Sequence, residues 1–406
     1  MFTITDCGRG ALRAALSLSL LPLLASAQIP SPVIPNGVGV NIHFVTGQKE
    51  DLDMIAAAGF KFIRMDFAWE ATEPKPGEYD WKAYDELTAN LERRGIRAIY
   101  ILDYVNAAYE ETVDATHPFT REKQKHTSSP RHPESIAAFA KWSAAAAKHF
   151  HGHHILWEIY NEPNGFFWKP APNAKEYAAL ALAAAKAIKA EQPDATVVAP
   201  AMSGFEWPFF ETLFQSGALQ YLDAVTVHPY RDPRMPPETA TPDYKKLREM
   251  ISRYAPSGKK NMPILSGEWG YSTWKNGVTL EQQAAYAVRQ QLVNLLNNVP
   301  LSIWYDWKND GLDPNENEHN FGTVQNDLQP KPAYTALKTM VRELQGYKLE
   351  RRLEQGDDKD YALLFSSGKK QKIAAWTTGG VPHTITLKLT GKKVALGFLP
   401  TYVPVN

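Results

Sequence analysis

The chain has 406 residues, enough for one large domain and a smaller companion. Hydrophobic residues make up 44% and charged residues 22%, the balance of a packed globular chain and not of a disordered one. Lys+Arg and Asp+Glu both number 44, so bulk charge gives no pull towards nucleic acid or an anionic membrane, and an uncharged partner fits better.

In chain order, the first feature reads as an export signal. Arg9 and Arg13 precede an apolar run from Ala14 to Leu24, and Ala25-Ser26-Ala27 matches the small-x-small cleavage pattern. The run is too short to span a bilayer comfortably, so cleavage before Gln28 is expected, residues 1–27 read as a signal peptide, and the protein reads as periplasmic or secreted. The only cysteine, Cys7, lies inside that leader. A mature chain without cysteine has no disulfide, no thiolate metal site and no cysteine nucleophile. No later stretch reaches membrane-spanning length.

Strand-like runs follow at Val38–Phe44, Phe62–Asp66, Ile96–Leu102, Ile155–Tyr160, Thr196–Ala199, Ala224–His228, Ile264–Gly267 and Leu301–Tyr305. Between them lie helical patterns at Lys49–Ala58, Trp81–Arg94, Pro133–Phe150, Ala174–Glu191, Glu206–Gln215, Pro242–Tyr254, Leu280–Asn297 and Lys331–Leu344. Eight strands alternating with eight helices predict an α/β fold, a closed parallel (β/α)8 TIM barrel over residues 28–345. An open doubly wound sheet competes, but its Gly-rich phosphate loop is missing after the first strand, where Asn41-Ile42-His43-Phe44 stands. The stretch Tyr104–His132, rich in His, Thr, Ser and Pro, reads as an active-site loop. After Gln345 the runs Tyr361–Ser366, Lys372–Thr378, His383–Leu389 and Val394–Phe398 predict a small C-terminal antiparallel β domain, 346–406, resembling a β-sandwich.

Two motifs carry the chemistry. Trp157-Glu158-Ile159-Tyr160-Asn161-Glu162-Pro163 ends the fourth barrel strand with a carboxylate, and Leu265-Ser266-Gly267-Glu268-Trp269-Gly270 does so at the seventh. An unpaired buried carboxylate is costly, so such endings point to use. Pro163 predicts an extended backbone at Glu162. Strands four and seven face each other across a barrel mouth, and paired carboxylates there suit glycosidic cleavage, one protonating the leaving oxygen while the other attacks the anomeric carbon. Mutual repulsion is expected to raise the acid's pKa. Glu158, further back in its strand, reads as a buried ion-pair partner. Among the aromatics, Trp69, Trp168, Trp207, Trp269 and Trp274 are candidates for sugar stacking.

Asn-Glu-Pro after strand four and Gly-Glu-Trp after strand seven resemble clan A glycoside hydrolases over the whole span Val38–Leu344. Within the clan the chain looks most like family 39, notably its bacterial exopolysaccharide-linked members, and next like family 5. The resemblance implies a retaining hydrolase of an oligo- or polysaccharide, needing no cofactor or metal, with Glu162 as acid/base and Glu268 as nucleophile. It further implies that Asn161 binds the sugar 2-hydroxyl and that His228 and Tyr230, in Val-His-Pro-Tyr, flank the nucleophile. Pro229 between them leaves the direction of Tyr230 open. Arg64 resembles the clan's second-strand arginine, with Asp66 or Asp103 as alternative partners, and Trp307 resembles the platform under the sugar. His43 lines the sugar pocket or caps the first strand. A transglycosylase on the same residues and a non-catalytic polysaccharide-binding barrel are the alternatives.

Overall fold

The computed structural model describes residues 28–116 and 121–405; the expected leader lies outside the described residues. In chain order the elements are β1 (Val38–Asn41), α1 (Lys49–Ala57), β2 (Phe62–Ala68), α2 (Trp69–Thr72), α3 (Lys82–Glu92), β3 (Arg97–Asp103), β4 (Thr112–Thr116), β5 (Lys123–Thr127), α4 (Pro133–His149), β6 (Leu156–Ile159), α5 (Ala174–Glu191) and β7 (Thr196–Ser203). There follow α6 (Trp207–Gln215), β8 (Ala224–His228), α7 (Thr241–Tyr254), β9 (Ile264–Trp269), α8 (Leu280–Leu296), β10 (Ser302–Trp304) and α9 (Pro332–Leu344). The chain ends with β11 (Lys348–Arg352), β12 (Asp360–Ser367), β13 (Lys370–Thr377), β14 (His383–Thr386), β15 (Lys393–Leu396) and β16 (Thr401–Pro404). No helix among the described residues is long and apolar enough to cross a membrane.

Strands β1, β2, β3, β6, β7, β8, β9 and β10 form a closed parallel barrel, each paired with its neighbours and β10 closing on β1. Each of the expected barrel strands is present. Several helices between them are set by local chemistry. Pro133 and Pro332 open α4 and α9, where a missing N–H costs nothing. The Asn173 side chain caps α5, and a reciprocal Thr279–Gln282 capping box starts α8.

Inside the barrel, Phe62, Ile99, Leu156, Val198, Ala224, Leu265, Leu301 and Ile303 make a separate buried apolar cluster. Strand side chains repeat every second residue, so two positions on from Phe62, Leu156 and Leu265 stand Arg64, Glu158 and Gly267. The apolar floor thus seals one end of the barrel beneath a polar layer that opens at the C-terminal ends of the strands.

Two regions differ from the sequence expectation. The loop after β3 carries a β4–β5 antiparallel hairpin, from Thr112↔Thr127 to Thr116↔Lys123. Beyond the barrel stand a four-stranded antiparallel sheet in the order β11-β12-β13-β16 and a two-stranded β14–β15 sheet. Strands β11 and β16 were not foreseen.

Candidate active site

The polar layer is organised by Arg64 on β2, which is 1% exposed. Its Nε donates to Glu158 Oε2 at 2.6 Å and its Nη1 to Glu268 Oε2 at 2.8 Å. The same Nη1 donates to Asn41 Oδ1 at 3.3 Å, and Nη2 to Asn161 Oδ1 at 2.7 Å. A buried cation is tolerated only when charge and hydrogen bonds surround it, and four side chains from β1, β6, the β6 end and β9 do so here. The guanidinium bonds neither Asp66 nor Asp103. Those two carboxyls repel each other, and burial together with the Asp66 charge pushes Asp103 well above the usual carboxylate range. Asn161 is fixed at both ends, since its Nδ2 donates to the Tyr104 hydroxyl at 2.9 Å.

Glu268 ends β9 with each oxygen engaged. Arg64 holds Oε2, and the Tyr230 hydroxyl donates to Oε1 at 2.7 Å. Pro229 therefore leaves Tyr230 pointing at this carboxylate. Burial, then the Glu268 charge, push the Tyr230 phenol well above its ordinary range, so it keeps its proton as a donor. His228 Nδ1 lies 2.9 Å from Glu162 Oε1 and 3.9 Å from Glu268 Oε2. An oxygen of Glu162, an oxygen of Glu268 and a His228 ring nitrogen all lie within 4.8 Å of one another. The Glu162 and Glu268 side chains keep 16% and 12% exposure, enough to be reached from the mouth.

Glu162 departs from expectation twice. Its φ is 43°, in the left-handed region, not extended; its N–H donates to the Ala201 carbonyl at 3.1 Å and its carbonyl accepts from Gly165 at 2.8 Å. These two bonds turn the backbone beyond the strand, overriding the local bias from Pro163. Such a conformation costs about 1–3 kcal/mol and is held only where the surroundings fix it. Its pKa is also displaced downward, not upward. Burial raises it, but the hydrogen bond and charge of His228, the Ser203 hydroxyl and Arg64 outweigh that and hold it below the usual range.

The tryptophans also need correction. Trp69, Trp269 and Trp307 have 0%, 0% and 1% exposure, so none presents a ring to a ligand. Trp69 donates to Glu73 at 2.6 Å and stacks on Tyr109. Trp307 donates to Asp51 at 2.9 Å, a residue of α1. Strand β10 ends at Trp304, so the alternation of a strand does not extend to Trp307 and its indole turns outward into the wall. Trp168 is likewise buried, whereas Trp207 and Trp274 are half-buried. The ring facing the site from this segment is Tyr305, whose phenol is pushed up by burial and by the charge of Glu268. It packs 5.5 Å from His43, 6.5 Å from Tyr230 and 5.2 Å from Phe321, between centroids. Its place directly after the last barrel strand was the available signal.

His43 sits exposed at the mouth, its Nδ1 3.1 Å from Asp310 and 3.7 Å from Asp306. Partial desolvation by the surrounding walls lowers its pKa, but Asp310 and Asp306 together push it up to about 9. Asp306 is itself buried, at 2% exposure.

Residues 30–311 match the family model Cellulase (glycosyl hydrolase family 5). Among solved structures, a family 39 glycoside hydrolase from the gut symbiont Bacteroides cellulosilyticus WH2 is 25% identical, with a TM-score of 0.77, over 93% of this chain and 82% of that one. A family 39 β-xylosidase from Caulobacter crescentus is 21% identical, with a TM-score of 0.64, over 89% and 81%. The family 39 enzyme of Xanthomonas axonopodis pv. citri is 18% identical, with a TM-score of 0.65, over 90% and 76%. These last two share the fold. A search of curated proteins found no match.

Proposed function

The chain belongs to the cellulases of glycosyl hydrolase family 5, and from that membership we propose that Glu162 and Glu268 cleave an O-glycosidic bond of an oligo- or polysaccharide by double displacement. Glu268 attacks the anomeric carbon as the glycosidic C–O bond breaks, and the Glu162 carboxyl gives its proton to the departing oxygen. A water then gives a proton back to Glu162 and its oxygen to the anomeric carbon, releasing Glu268 as carboxylate and the sugar with retained configuration. Arg64 and Tyr230 anchor the attacking carboxylate by one oxygen each, so little reorganisation is left for the reaction step. The Asn161 amide is offered to the sugar 2-hydroxyl, while His43 and Tyr305 border the glycone. The leader-like segment 1–27 supports export to the periplasm or medium.

One observation carries the reading. The Glu162 and Glu268 carboxylates approach within 4.8 Å, in keeping with the roughly 5–5.5 Å of a nucleophile pair and short of the roughly 6.5–9.5 Å that leaves room for a water between them.

The test uses a panel of aryl glycosides. Glu268→Ala should reduce turnover to background, with azide restoring it and giving a glycosyl azide of inverted configuration. Glu162→Ala should lose far more activity on poor leaving groups than on activated ones. Undiminished turnover in the Glu268 variant would remove that residue from the mechanism.

A further inference from the structure

Exposed and rigid aromatic rings are uncommon together, and Phe167 is both. It is 41% exposed, yet its ring lies stacked on Tyr104, centroids 5.4 Å apart and planes 15° from parallel. Its carbonyl accepts from the Tyr160 hydroxyl at 3.1 Å. The next residue, Trp168, is fully buried and donates to Glu176, and the N–H of Lys169 donates to Ser129 at 2.8 Å. The segment is therefore tied down on folding, and holding the ring in place asks little further ordering when something binds to it.

Its position relative to the carboxylates is set by two short links. Tyr104, under the ring, accepts from Asn161 at 2.9 Å, the residue before Glu162. The loop that carries Phe167 also starts against the Glu162 carboxyl: a Cβ at Gly165 would stand 3.9 Å from Glu162 Oε2. His43, Asp306 and Tyr305, by contrast, cluster where β1 and β10 open, beside Glu268. The proton donor faces the departing oxygen, so a ring built onto the donor's own loop flanks the departing group and not the sugar that becomes esterified.

From this we infer that Phe167 is the platform of the leaving-group subsite, on which the first sugar beyond the cleaved bond stacks one face. The ligand class follows from the surface: a pyranose with an apolar C–H face, bound by contact area and by attraction of C–H bonds to the π face, with no charge required. The same ring serves an acceptor sugar when the glycosyl-enzyme is intercepted by one. This inference rests on the reading of Glu162 as the acid/base.

The experiment compares leaving groups that do and do not fill the subsite. Glycosyl fluorides of glucose, xylose, mannose and galactose have a leaving atom too small to touch Phe167, whereas the corresponding β-1,4-linked disaccharides place a ring there. On the sugar that is turned over, Phe167→Ala should lose kcat/KM on the disaccharide roughly tenfold more than on the fluoride. Most of that loss should appear in KM, and Phe167→Trp should restore it. Transfer to added acceptor sugar should fall in parallel. Equal losses on both substrates, or no loss on the disaccharide, would overturn the assignment. If Glu162 itself were misread, Glu162→Ala would fail to discriminate between leaving groups, an outcome independent of Phe167. The ring is on the surface, so an unchanged melting temperature is expected and certifies the comparison.

Discussion

The contact between His228 and Glu162 decides when the acid holds a proton. Burial alone would lift the Glu162 carboxyl, but His228 at 2.9 Å, Ser203 and Arg64 hold it below the ordinary range in the free protein. Protonation of Glu162 is required for the first step, so kcat/KM falls as pH rises through that lowered pKa, and the fall begins on the acid side of neutrality. His228→Leu removes the hydrogen bond and the charge that lower the value and leaves the burial that raises it. The alkaline limb of the profile should therefore move to higher pH, even as the maximal rate drops. Profiles measured on a poor leaving group read this directly, and an alkaline limb that stays in place would exclude His228 as the group that holds Glu162 down. Residues at this scale were legible where chemistry forces a pattern: Glu162, Glu268 and Tyr230 stand at or just beyond strand ends, and Arg64 is a charge inside the apolar strand β2, all places where an unpaired polar group is costly. Ring exposure was not legible, because only tertiary packing buries Trp69 and leaves Phe167 41% exposed.

At the scale of elements, the site depends on how closely the ends of β9 and β10 approach. Gly270 follows Trp269, and a Cβ there would meet the Tyr305 carbonyl oxygen at 1.8 Å. No rotamer change relieves a clash between backbone atoms, so Gly270→Ala must push the two strand ends apart. The carboxylate of Glu268 and the ring of Tyr305 ride on those ends. The expected result is a lower melting temperature together with a loss of kcat on aryl glycosides. A variant with native kcat and native stability would show that the approach is not needed. The barrel strands themselves could be read because each is a short apolar run bounded by turn residues and buried on both faces. The β4–β5 hairpin could not. Its Thr-Val-Asp-Ala-Thr and Lys-Gln-Lys-His-Thr strands are mostly exposed, so no apolar alternation announces them. Strand β11, Lys-Leu-Glu-Arg-Arg, was hidden for the same reason.

For the whole molecule, the question is whether the C-terminal sheets are a separate folding unit. Strands β12 and β13 alternate between two environments. Leu363, Phe365, Ala374 and Trp376 belong to the same apolar cluster as the barrel and its helices, whereas Ala362, Leu364, Ile373 and Ala375 pack with Leu387, Val394 and Leu396 of the small sheet. The sheet is thus buried on both faces, and one face is barrel. Polar ties add register. Trp376 Nε1 donates to Glu238 Oε1 at 2.7 Å, and Arg289 of α8 grips both oxygens of the same carboxylate at 2.8 and 2.6 Å. The segment before β1 pairs with the start of β11, with Ile34 and Gly346–Tyr347 exchanging backbone bonds at 3.0 and 2.7 Å. An interface that shares a core and a buried ion pair couples the unfolding of its two sides. Trp376→Ala opens a cavity in that shared core and leaves Glu238 one donor short. It should lower the unfolding free energy by about 3–5 kcal/mol while unfolding remains a single transition, seen alike by tryptophan fluorescence and far-UV circular dichroism. Two separated transitions, in the variant or the parent chain, would instead make residues 346–406 an independent domain. With one transition, truncation after Leu344 strips the cover from Arg289, Glu238 and the outer face of α8, and the barrel should lose both solubility and turnover.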